Sequence, residues 1–124
     1  MNITLWIVAS LLTLAFLAFG MMKLTQSKSK LVAAGQGWAA DTSDSNVKII
    51  GALEVLGAVG LIVPALLNTA TVLVPLAATG LALLMLGAAV THARRREYPN
   101  IAINAVLGGL ALFLAISRFG AHSF

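Results

Sequence analysis

The chain has 124 residues, 60% of them hydrophobic and 10% charged, against about 45–50% and 25% in soluble domains, so a water-soluble globule is excluded. It has no cysteine, which removes disulfides, thiolate metal sites, iron–sulfur ligation and CxxC redox chemistry, and leaves any redox role to a partner or a bound cofactor. The net charge of +4 lies almost wholly between the apolar blocks, so it speaks to membrane orientation and anionic headgroups, and no nucleic-acid-binding signature accompanies it.

Four apolar blocks, Ile3 to Met22, Val47 to Leu67, Ala70 to Val90 and Ile101 to Ser117, each have a membrane-spanning length, the last on the short side. They predict an all-α protein: a transmembrane antiparallel four-helix bundle, one domain over residues 1–124, with helices over about 3–22, 47–67, 70–92 and 100–118. The first block lacks a basic leader, is too long for a secretory h-region and is followed by Lys23, Lys28 and Lys30, so it reads as a retained helix.

From residue 23 to 46 the chain is polar, interrupted by Leu31, Val32 and Trp38. A short interfacial helix near Ser29 to Ala34 and a solvated connection broken at Gly35 and Gly37 are both open to it. Trp6 and Trp38 suit the headgroup level. The run Asp41-Thr-Ser-Asp-Ser-Asn46 is rich in N-capping residues and announces the second helix. Pro64 falls in the last turns of that helix, Asn68-Thr69 makes a tight connection, and Pro75 lies in the first turns of the third helix, where a missing N–H costs little. A basic turn, Ala-Arg-Arg-Arg-Glu-Tyr-Pro-Asn over residues 93–100, leads into the fourth.

The two connections on one side carry Lys23, Lys28, Lys30, Lys48, Arg94, Arg95 and Arg96, whereas the other side carries Arg118 and the N-terminal amine. By the positive-inside rule both termini are expected outside and the basic loops in the cytoplasm.

The residue that stands out is Glu54, about 10 Å into the second block at ~1.5 Å per residue. A carboxylate in the middle of a lipid-embedded helix costs about 3 kcal/mol on the lenient insertion scales, so it must be neutral, paired or facing something polar. At 100° per residue Gly51, Glu54, Ala58 and Leu61 share a face, and small residues let a neighbouring helix approach, so Glu54 is expected to face protein. Lys48 is about 120° round the helix, too far for an ordinary helical pair. Partners are expected from other helices: Asn104 at comparable depth, or Arg94, His92 or Lys23 reaching inward. The carboxyl group then either locks an interhelical hydrogen bond or handles a ligand or proton. His92 can equally be interfacial, Arg94 to Arg96 a topology signal, and Asn100 and Asn104 a cap and packing glue. No nucleophile–base pair, carboxylate pair or metal-ligand set is present.

The segment Lys48-Ile-Ile-Gly-Ala-Leu-Glu-Val-Leu-Gly-Ala-Val-Gly-Leu61, the helix end Thr91-His-Ala-Arg-Arg-Arg-Glu97 and the earlier Gly20-Met-Met-Lys-Leu24 together resemble the DoxX-like membrane proteins. That resemblance covers most of the chain. It implies a small four-helix membrane fold of a bacterial plasma membrane, with Glu54 as the motif carboxylate and Lys48 and Gly51 as its companions. Relatives in that family include a membrane subunit associated with thiosulfate and quinone chemistry, proteins of oxidative-stress complexes and an animal receptor-assembly chaperone. The resemblance therefore implies a non-catalytic accessory or assembly protein working with another membrane protein or a second copy of itself. No cofactor is called for, although a bound quinone or lipid is compatible with a polar notch at Glu54. A small proton-coupled transporter is the alternative; small multidrug antiporters place their Glu in the first helix, and this first block has no ionisable side chain before Lys23.

Overall fold

Each apolar block folds as one helix because lipid offers no partner to a bare N–H or C=O, and a helix satisfies them within the segment. The computed structural model describes residues 2–33, 39 and 43–120. In chain order its helices are α1 (Asn2–Thr25), α2 (Lys28–Ala33), α3 (Asp44–Leu67), α4 (Leu73–Arg94) and α5 (Tyr98–Phe119), and no strand occurs among the described residues. All but α2 have the length and hydropathy of a membrane span. The chain is a multi-pass integral membrane protein built as a helical bundle.

The helices form two antiparallel pairs, α1 on α3 and α4 on α5, with α3 meeting α4 and α1 touching α5 to close the ring. Each spanning helix turns one narrow stripe inward: Leu5, Ala9, Leu12 and Phe16 on α1, Ala58 and Leu61 on α3, Ala78, Leu81 and Met85 on α4, Ala111, Leu114 and Ala115 on α5. The opposite faces carry exposed Leu14, Leu56, Leu86 and Val106, which lipid covers. This core fills the half of the bundle away from the basic loops.

The helix ends explain what lies in the other half. α1 runs one turn past the apolar block: Thr25 donates its hydroxyl to the Met21 carbonyl at 2.7 Å, and Lys48 donates through Nζ to the carbonyls of Lys23, Leu24 and Gln26 at 3.0, 3.0 and 3.1 Å. A cation on the orphan carbonyls of a helix C-terminus satisfies them and complements the dipole. Lys23 is thereby a helical residue with a fixed direction. Ser43 caps α3 by accepting from the Asn46 N–H at 3.1 Å, so that α3 starts three residues before the apolar block. α4 starts later than the apolar block, at Leu73, because Asn68 and Ala70 adopt left-handed φ values of 50° and 51° and turn the chain. Pro99 sits in the first turn of α5, where its lost N–H is harmless.

α2, capped by the Ser27 hydroxyl accepting from the Lys30 N–H at 3.3 Å, tucks Leu31 against Val47 and Ala39 beneath the α1–α3 pair. Trp6 is half-buried near the start of α1, whereas Trp38, Gly35, Gly37, Asp41 and Thr42 lie outside the described residues.

Candidate functional site

The site begins at a pair of glycines. A Cβ on Gly20 would stand 2.8 Å from the Gly51 carbonyl oxygen, and a Cβ on Gly51 would stand 2.8 Å from the Gly20 carbonyl oxygen and from Lys23 Cβ. Both obstacles include backbone, so α1 and α3 reach this separation only because neither position has a side chain. At this same crossing Lys23, three residues after Gly20, delivers its Nζ to Oε1 of Glu54, three residues after Gly51 on the antiparallel helix, at 2.7 Å. Both side chains are buried, Glu54 to 1% residual exposure, and Lys23 also lies 5.6 Å from the centroid of the Phe19 ring. An ion pair in a low-dielectric bundle offsets much of the desolvation of each partner, which is why α3 can carry the carboxylate at this depth.

The pair forms one wall of a half-open cavity of about 380 Å³ lined by all four spanning helices at the basic-loop end. α4 contributes Met85, Ala88 and His92, and α5 contributes Asn100, Asn104 and Leu107. Most of the lining is apolar. Its polar groups are gathered at one end.

Two of them stand out for their hydrogen bonding. Asn104 is 9% exposed and its Nδ2 is fully buried without a partner among the described residues. In hydrocarbon such a donor costs several kcal/mol when it is left unmet. His92 is buried too, and its Nδ1 lies 2.9 Å from Glu97 Oε1, which also accepts from Arg95 Nε at 3.1 Å. A carboxylate only accepts, so His92 Nδ1 carries the proton there, and Nε2 is the ring nitrogen that Glu97 does not engage. The cavity lining thus gathers an amide from α5, an imidazole from α4 and the ion pair between α1 and α3.

Of the residues singled out in the sequence, Glu54, Asn104 and His92 meet around this cavity, and Gly51 supports it from behind. Lys48 does not join them. Its ammonium is spent on the end of α1, because its face of α3 points at that terminus and not at the carboxylate. Arg94 is exposed at the last residue of α4, outside the lining. Among the described residues no group of three or more His, Asp and Glu side chains is arranged to hold a metal ion.

Sequence reasoning named Lys23 only as one of four partners and gave Gly20 no role. The signal for both was the four-residue run Gly20 to Lys23, whose spacing mirrors Gly51 to Glu54 on the antiparallel neighbour. Arg118, read as a charge on the far side of the membrane, is buried at 5% exposure; it repeats the seven-residue spacing of Asn104 and Ala111 along the inward stripe of α5.

A family model described as the DoxX-like family matches residues 7–114, from the first spanning helix into the last. No curated protein and no solved structure matches the chain.

Proposed function

The chain belongs to the DoxX-like family of membrane proteins, and from that premise we propose that it is a non-catalytic accessory protein that holds a quinone-class lipophile for a membrane redox partner. The observation that carries the reading is the unmet Asn104 amide buried in the wall of a largely apolar cavity. A volume of about 380 Å³ is within the range of small-molecule sites, about 300–1,000 Å³, and a few convergent polar groups on an apolar wall are their usual chemistry. With the Asn104 amide turned so that its buried Nδ2 meets the cavity, a quinone carbonyl accepts from it, and the hydroxyl of the reduced form donates to His92 Nε2. Lys23 and Glu54 supply a fixed dipole at the same end without a net charge. Proton-coupled transport with Glu54 as carrier draws no support from a carboxylate held at 2.7 Å by an ammonium group.

The test is calorimetric titration of the purified protein with a fully substituted decyl para-benzoquinone, comparing the wild type with Asn104→Leu. The variant is expected to bind about tenfold more weakly, the worth of one hydrogen bond in a dry site. Its stability without ligand should be unchanged or higher, because an unmet donor has been removed. Equal affinity in the two proteins would overturn the reading.

We also propose that the cavity end faces the cytoplasm, where positive charge collects. The cysteine-free chain makes this easy to check. In intact cells a membrane-impermeant maleimide should label Thr69→Cys from outside and reach Arg96→Cys only after lysis. The opposite pattern would invert the topology.

A further inference from the structure

A second hollow lies on the lipid-facing side of the α3–α4 seam, a groove of about 740 Å³. Its lining is entirely apolar, and Gly57 and Gly60 on α3 and Gly80 on α4 lower its floor. Two of these glycines are spoken for within the bundle: a Cβ on Gly57 would strike the Leu81 side chain at 2.7 Å, and one on Gly60 would stand 2.9 Å from Ala77 Cβ. Gly80 is different. Among the described residues a Cβ there would meet nothing within 4 Å, so its lack of a side chain serves no packing among them and leaves open space on the groove floor.

The groove and the polar-ended cavity share two lining residues, Leu83 and Leu84. The cavity lies toward the C-terminal end of α4 and the groove runs from there toward Leu73 near its start. Leu84 to Leu73 spans about 17 Å at ~1.5 Å per residue, the length of an extended chain of roughly a dozen methylenes. One hollow therefore holds polar side chains at the basic-loop level, and the other adjoins it at Leu83 and Leu84, further into the membrane, with none.

We propose that the two hollows form one site for a single-tailed amphiphile, its polar head in the cavity beside Asn104 and its apolar chain lying in the α3–α4 groove. This rests on the head-group reading above and adds the class of ligand: a long unbranched or isoprenoid chain contributes to binding in its own right. The arrangement also orients the ligand as a lipid of one leaflet, head at the interface and tail toward the midplane. Methylenes gain little from leaving one hydrocarbon for another, so the chain's contribution is van der Waals fit against the grooved floor.

The experiment uses fully substituted para-benzoquinones with an ethyl, hexyl or decyl chain, titrated into the wild type, Gly80→Phe and Gly109→Phe. Gly109 on α5 likewise has open space around a Cβ and lines neither hollow, so it controls for a bulky side chain on a lipid-facing helix. The ratio of the Gly80→Phe Kd to that of the wild type is expected near unity for the ethyl compound and about tenfold for the decyl compound, as chain contacts are lost one methylene at a time. In Gly109→Phe the ratio should stay near unity throughout. A ratio for Gly80→Phe that does not change with chain length would overturn the groove's role while leaving head-group binding intact. If that flat ratio came with a changed oligomer mass, the groove would be an interface between copies and the proposal would again fail. No binding of any chain length to the wild type would remove the head-group reading and the groove's role with it.

Discussion

Replacing Lys23 with Met while Glu54 remains should lower the unfolding free energy by about 3–5 kcal/mol, the loss seen when one member of a buried ion pair is removed. Glu54 lies ten residues into α3, behind 1% exposure, and has no route to water on its own. The complementary change, Glu54→Gln, should cost less. Lys23 is two residues from the end of α1, so its four-carbon stem can carry the ammonium to the headgroups once the carboxylate is gone. In the double variant Lys23→Met/Glu54→Gln no charge is left behind, and most of the lost stability should return. Reversible unfolding in mixed micelles, followed by circular dichroism, measures all three. Additive losses, with the double variant as unstable as the sum of the singles, would show that the 2.7 Å contact carries no coupling.

Gly51→Ala and Gly20→Ala should each destabilise the bundle by about 1–3 kcal/mol, a large effect for a single methyl group. Each new Cβ would lie 2.8 Å from a backbone carbonyl on the other helix, and backbone cannot rotate away as a leucine side chain can. The helices must separate instead, which lengthens the Lys23–Glu54 contact across the same crossing. Once they have separated, the second methyl group fits without further movement. Gly20→Ala/Gly51→Ala should therefore cost little more than either single change, a strongly non-additive cycle. Gly109→Ala provides the reference: with open space around its Cβ it should be neutral or stabilising, since alanine favours a helix by up to about 1 kcal/mol over glycine. A Gly51→Ala protein as stable as the wild type would mean that the crossing is looser than 2.8 Å implies.

The spans, the helical class and the inward face of α3 were legible in the sequence because each depends on one segment at a time. Length and hydropathy define a span, and the period of Gly51, Glu54, Ala58 and Leu61 defines a face. Asn104 could be placed at the depth of Glu54 because both helices enter from the same side. What could not be read was the choice among partners. Lys23, His92, Arg94 and Asn104 all lay within reach of the carboxylate on paper, and the Gly20–Gly51 crossing, a relation between two helices, selected Lys23. Lys48 shows the same limit: its position in the motif suggested company for Glu54, whereas the carbonyls at the end of α1 lay closer to the face on which it sits. Arg118 was hidden for another reason. A charge near a helix end reads as interfacial until the stripe it belongs to is known. A polar notch at Glu54 could be expected from the sequence, but its volume and its lining could not, since they are properties of four helices together.

The ribosome makes Lys23 about thirty residues before Glu54. During that interval the nascent first span ends in an ammonium group that has no carboxylate to meet, and its release into lipid leaves that charge at the headgroups. The arrival of the next span changes the balance, because two glycine-lined helices can then enter the bilayer together with the Lys23 and Glu54 charges cancelled against each other. Biogenesis by pairs follows from the ion pair, and the second span alone, with Glu54 ten residues in, should be a poorer anchor than its hydropathy implies.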